Sequence, residues 1–227
     1  MKKIVCLVLV FFSFSLIVIG QIYIHPEFDS LTRDHKELAI LPFQVTLRLK
    51  PHQMKKLEIE DLERLEKIEG EAVQSALHTY FLKQKEKDSF KVRFQDISYT
   101  NTLLALAGWT SDSLRIKTRK EICRKLNVDG IIAGTVMTSK LMSDEAAVAL
   151  NALGVVATIA SLGQVWGVGA GPTNKGTCTI NIHEAKKGEL LWKYEKTLSR
   201  GLGSDTNSII NAMMRKASKK FPYMDSK

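Results

Sequence analysis

The sequence predicts a layered α/β sandwich, with a mixed sheet of about five strands packed by helices, behind a short apolar amino-terminal segment. Three observations point there. Short apolar or alternating runs read as strands, and stretches with apolar residues three and four apart read as helices between them. Near the carboxyl end, two alternating runs lie close enough to pair as a hairpin, which makes part of the sheet antiparallel.

Lys2 and Lys3 precede the uncharged run Ile4–Gly20, the basic and apolar parts of an export signal. Val18 and Gly20 stand third and first before Gln21, small enough for signal peptidase, so residues 1–20 are expected to be removed as a signal peptide. Ile22, Tyr23 and Ile24 extend the uncharged run to 21 residues, which keeps an uncleaved membrane anchor as the alternative. Cys6 lies inside the apolar run with no small residues before it, so lipidation is not expected. Residues 21–36 read as a linker, 37–221 as one α/β domain and 222–227 as a tail.

Glu37–Phe43 (ELAILPF) reads as a buried strand ended by Pro42, and Gln44–Lys50 as a half-exposed strand with Val45, Leu47 and Leu49 on one side. From Met54 to Lys85, Leu57, Leu62, Leu65, Ile68, Ala72, Ala76, Leu77 and Tyr80 mark a long amphipathic helix, or two joined at Gly70. Phe90–Ile97 alternates as a strand, and Ser111, Asp112 and Ser113 cap a helix through Ile122 and Leu126 that Asn127 and Asp129-Gly130 stop. Gly130–Leu141 is a strand apolar enough to be central. Thr177–His183 and Leu190–Leu198 form a hairpin around Lys186–Glu189, and Ser204–Phe221 is a final helix with a basic side.

Ala146–Asn174 is an insertion rich in glycine and alanine, 29 residues without a charge. One reading is a core helix with a glycine-rich return loop. The other is a surface that meets lipid or another subunit, with Val148, Leu153, Val156, Ile159, Leu162 and Trp166 as the contact set.

The formal charge is +9, spread through helices and the carboxyl-terminal Arg215, Lys216, Lys219 and Lys220. Export argues against nucleic acid. Acidic lipid headgroups, anionic glycans or an acidic protein suit the compartment, and solvated helix faces are the plainer reading. Cys123 and Cys178 fall on the apolar sides of their elements and read as buried free thiols.

Motifs for chemistry fail one by one. Asn174-Lys175-Gly176-Thr177 has lysine before glycine and leads into a strand, the wrong order for a phosphate-binding loop. His25, His35, His52, His78 and His183 show no metal-ligand spacing, with His78 and His183 read as solvent residues, and no GxSxG occurs. Glu58–Glu71 interleaves with Lys55, Lys56, Arg64 and Lys67 at helical spacing and reads as a salt-bridged solvent face. Trp109, Trp166 and Trp192 are scattered. No catalytic residue, cofactor site or metal site is therefore expected.

The order of elements carries a resemblance instead. ELAILPF, a long helix, a helix ending in LNVDG that runs into GIIAGTV, and TINIHEAKKGELLWKYEKT before a last helix are similar to the CsgG, LpoB and TolB amino-terminal-domain group of bacterial envelope proteins. The resemblance spans about Glu37 to Phe221 and is most specific at Leu126–Val136 and Thr179–Trp192. It implies a non-enzymatic binding module in the periplasm or at the outer-membrane periphery, acting on other envelope proteins and prone to homo-oligomerise. The alternative it implies is an oligomeric secretion or pore subunit that inserts residues 146–174 into the membrane.

Overall fold

The computed structural model describes residues 21–48, 57–138, 174–200 and 206–224. Seven strands form one mixed sheet: β1 (Gln21–Ile24), β2 (Glu37–Ile40), β3 (Gln44–Leu47), β4 (Arg93–Phe94), β5 (Gly130–Thr138), β6 (Asn174–Glu184) and β7 (Leu190–Arg200). The order across it is β1-β7-β6-β5-β2-β4, with β3 continuing beside β5 beyond the end of β2. β2, β3 and β4 join by parallel pairing, whereas β5, β6, β7 and β1 pair antiparallel. The expected layered α/β sandwich with a part-parallel sheet is thus found, with two more strands than the five anticipated.

The apolar run ELAILPF serves two strands and the step between them. Leu38, Ala39 and Ile40 are buried against β5, and Pro42 then interrupts the ladder. The chain re-engages β5 at Gln44, where Val45 and Leu47 point inward and Thr46 is exposed, the alternation the sequence predicts. At the step, the Phe43 amide donates to the Gly70 carbonyl at 3.1 Å.

Six described helices pack on the sheet: α1 (Phe28–Leu31), α2 (Ile59–Lys85), α3 (Ile97–Leu106), α4 (Ser111–Ile116), α5 (Arg119–Leu126) and α6 (Thr206–Ser218). α2 is continuous through Gly70, and Leu65, Val73, Leu77 and Phe81 follow its inner face at multiples of four residues. With α6 it covers one side of the sheet, burying Ile132, Val136, Cys178, Ile180, Ile182, Trp192 and Tyr194 in the larger core. A smaller core on the opposite side holds Ala39, Leu41 and Ile131 under α3, α4 and α5. Those three helices reach only part of that side, and Thr46, Thr135, Thr177 and Thr179 remain exposed or half-buried on the rest.

Several expectations are corrected. Residues 21–36, expected as a linker, supply β1 and α1, with Phe28 and His35 buried. The tail begins inside the core, since Tyr223 is buried and Met224 bridges Phe90. Only Arg93–Phe94 of the strand expected at Phe90–Ile97 joins the sheet. Its alternation places Phe90 and Phe94 against Phe81 and Phe221 instead, with the Phe81 and Phe94 rings stacked at 4.9 Å. Asp96 then accepts the Tyr99 amide at 2.9 Å and starts α3, a helix the sequence reading misses. The helix expected from Ser111 to Leu126 is two, because Thr118 and Glu121 form a capping box that restarts the chain as α5. Asn127 ends it in the left-handed region at φ 54°.

Candidate functional site

α2 and the α3–α4 corner enclose an open groove of about 770 Å³. Two local features build its walls. Gly108, at φ +67°, turns the chain between α3 and α4, a conformation that side chains resist. Thr110 follows and accepts the Ser113 amide at 3.3 Å, capping α4. Across the groove, Glu60, Glu63, Arg64, Lys67 and Glu71 lie along one stripe of α2, beside the stripe that carries its core residues.

The separation of the walls is held by a pair of amides. Gln74, fully buried, donates to the Ile40 carbonyl at 2.6 Å and to Asn101 Oδ1 at 3.0 Å, while Asn101 Nδ2 donates back to Gln74 Oε1 at 3.1 Å. One side chain of α2 is thereby tied both to β2 and to a groove-lining residue of α3. The floor is apolar, from Pro42, Leu104 and Leu114, and Trp109 stands half-buried in the α3–α4 wall. Lys117 places its Nζ 5.4 Å from the Trp109 ring centroid, within cation–π range.

Of the charged α2 face expected to be salt-bridged, Lys55 and Lys56 lie outside the described residues. Among the described residues, ion pairs join Arg93 to Glu37, Lys187 to Glu189 and Lys193 to Glu195, all away from α2. The lining sets four carboxylates, Glu60, Glu63, Glu71 and Asp112, against Arg64 and Lys67. Glu66, just below, registers this field. Burial raises its pKa above the usual carboxylate value, the Leu47 amide at 2.8 Å opposes that, and the charges of Glu63 and Asp112 raise it further.

A second polar cluster lies at the other end of the sheet. His35 Nδ1 and the Tyr223 hydroxyl are 2.8 Å apart in the core. Burial lowers the His35 pKa, and it pushes Tyr223 far above the usual phenol value with help from Asp129 and Glu184. Glu184 accepts the amides of Lys186 at 2.6 Å, of Lys187, and of Glu189 at 3.4 Å, and so closes the β6–β7 turn. Asp129 accepts the Lys36 and Glu37 amides at 2.8 and 3.0 Å. These groups are consumed in holding loops. His78 and His183, expected in solvent, are half-buried, with His78 edge-on to Phe94 and His183 Nδ1 3.2 Å from the Gly188 carbonyl. Cys123 and Cys178 are free and buried as expected.

The residues expected to contact lipid or a partner, Val148, Leu153, Val156, Ile159, Leu162 and Trp166, lie outside the described residues. The structure does show where their segment is attached. β5 ends at Thr138 and β6 begins at Asn174, with Thr138 opposite Gly176, so the insertion leaves and rejoins the sheet at one end of an antiparallel pair. Among the described residues no helix is long and apolar enough to cross a membrane.

No family model and no curated protein matches this chain. Solved structures do. It is similar to the lipoprotein GNA1162 from Neisseria meningitidis, with a TM-score of 0.44 and 4% identity over 81% of this chain and 94% of that one. A PelC dodecamer from Paraburkholderia phytofirmans matches at a TM-score of 0.38 and 13% identity, covering 87% of this chain and 92% of that one. The LpoB C-terminal domain from Salmonella enterica matches at 0.35 and 9%, covering 77% and 94%. At these scores and identities the likeness establishes neither a shared family nor a shared activity.

Proposed function

We propose that this chain is an exported, non-enzymatic envelope protein that works by binding other envelope proteins, with the groove between α2 and the α3–α4 corner as its docking site. The observation that carries the reading is the groove's make-up. An apolar floor, a half-buried tryptophan and charged side chains that form no ion pair with one another among the described residues are what a protein interface offers before its partner arrives. The lining contains neither histidine nor cysteine, and its threonine nearest the corner, Thr110, is committed to capping α4. The export signal in residues 1–20 and the resemblance at Leu126–Val136 and Thr179–Trp192 support the compartment.

The attachment of the insertion favours a second reading, in which residues 146–174 meet lipid or a neighbouring copy and the chain is a subunit of an oligomeric secretion or pore assembly. β5 and β6 pair from Gly130 with Glu184 to Thr138 with Gly176, so the 35 residues from 139 to 173 join neighbouring ends of two paired strands. Fractionation separates the two. Release of the protein by osmotic shock without detergent supports the docking module, whereas recovery only with detergent, as a species several chains in size, supports the assembly subunit.

A further inference from the structure

We infer that the groove receives a basic, partly apolar polypeptide segment, one that presents lysine or arginine beside a hydrophobic side chain. This rests on the docking role proposed above and names the chemistry of the partner. Two independent features select it. The first is charge: the lining has four carboxylates against two cations in a chain whose formal charge is +9, so the groove is a local reversal of the protein's overall sign. Glu63 and Asp112, one on each wall, act together on the same half-buried neighbour, Glu66, and push its carboxyl toward the neutral form while Arg115 opposes them. A cation placed between them would relieve that repulsion, and an anion would add to it.

The second feature is Trp109. Its ring already accepts an ammonium from within the protein, with Lys117 Nζ 5.4 Å from the centroid. The indole lines the same groove as Leu104 and Leu114, which offer contact for an aliphatic side chain, and as the four carboxylates. A lysine or arginine of a partner lays its aliphatic stem along such a floor while its head reaches the rim, a division that acidic or purely apolar segments do not match.

The test titrates the purified full chain with a short acetylated peptide alternating lysine and leucine, and with the same peptide carrying glutamate for lysine. The overall charge of the protein attracts the glutamate peptide without specificity, so a preference for the lysine peptide can come only from a local acidic site. The lysine peptide is expected to bind more tightly, to weaken at high salt, and to lose about tenfold in affinity on Glu63→Lys with Asp112→Lys, while the glutamate peptide gains. Both side chains are exposed, and an unchanged circular dichroism spectrum checks the fold. If the double reversal unfolds the domain, Glu63→Gln with Asp112→Asn is expected to act in the same direction with a smaller effect. Tighter binding of the glutamate peptide, binding of neither, or an affinity for the lysine peptide that ignores the substitutions overturns the inference. Where that happens while a photo-cross-linker in the groove still captures an envelope protein, the docking role stands and only the basic chemistry falls.

Discussion

Gly70 of α2 lies so close beneath Phe43 that a Cβ added to it would sit 2.1 Å from the Phe43 carbonyl oxygen. Phe43 is gripped from its other side as well, because a Cβ on Gly134 of β5 would meet the Phe43 ring at 2.2 Å. The step between β2 and β3 is therefore clamped between a helix and the central strand.

Replacing a helix-interior glycine with alanine ordinarily adds about 1 kcal/mol of stability through helix propensity. At Gly70 the obstacle is main chain, which cannot turn aside as a side chain would. Gly70→Ala is expected to destabilise the domain by about 2 kcal/mol net, read as a lower urea midpoint with an unchanged slope. A gain in stability would show that α2 and the β2–β3 step are not in contact.

Acid should loosen the domain in two stages. Burial lowers the pKa of His35, His78 and His183 from 6.5, so below that value the unfolded chain takes up protons that the native one resists. Their contribution is complete above pH 6.5 and is lost as the pH falls through their depressed folded values. For Glu184, burial alone would raise the pKa, but the amides of Lys187, Lys186, Glu189 and Gly188 outweigh it and leave the value below 4.5. Its stabilisation is present above pH 4.5 and fades beneath it, while Glu66, held above its usual value, offsets part of that loss. Urea midpoints at pH 7.5, 5.5 and 4 are expected to fall in that order. A midpoint that does not change between pH 7.5 and 5.5 would contradict the buried, neutral histidines.

Cys123 and Cys178 should be unreactive in the native protein. Burial pushes both thiols up to about 12, Cys178 by burial alone and Cys123 with added repulsion from Glu184, so almost no thiolate forms at neutral pH. Iodoacetamide at pH 8 is expected to label neither until urea is added. Rapid labelling of Cys178 in the folded state would place β6 wrongly in the sheet.

The mature chain is expected to begin at Gln21. Among the described residues, Gln21–Ile24 pair with β7 from Glu195 to Trp192, and cleavage before Gln21 keeps all of those pairs. An anchor extended through Ile22–Ile24 would compete with those pairs. Intact-mass measurement of protein recovered from cells checks this, and a chain that retains Met1 would replace cleavage with anchoring.

The sheet was legible in the sequence where alternation and burial coincide. Cys178, Ile180 and Ile182 point into the core in step, and Val45 and Leu47 flank an exposed Thr46, as their pattern requires. Elements whose residues serve two purposes were misread. Gln21–Ile24 extends the apolar run of the export signal, which hides a strand, and Phe90–Phe94 alternates to feed an aromatic cluster rather than a ladder. α3 escaped notice because its start depends on Asp96 as a cap, and Ile97–Leu106 shows little amphipathic contrast. The groove was invisible for a related reason. Its charges sit on α2 at the spacing of a self-paired helix, and the Gln74–Asn101 amide pair ties the opposite wall to that helix. Trp109 followed by Thr110, Ser111 and Asp112 was the one local signal, an aromatic residue in a polar turn.

The docking role of the groove is tested most directly by a photo-reactive phenylalanine analogue at Ser111, on the α4 wall, compared with the same analogue at Lys85, exposed at the far end of α2. After illumination of intact cells, the Ser111 position is expected to give a discrete adduct with an envelope protein identifiable by mass spectrometry, and the Lys85 position none. No adduct at Ser111, or the same adducts from both positions, would contradict a docking site in the groove.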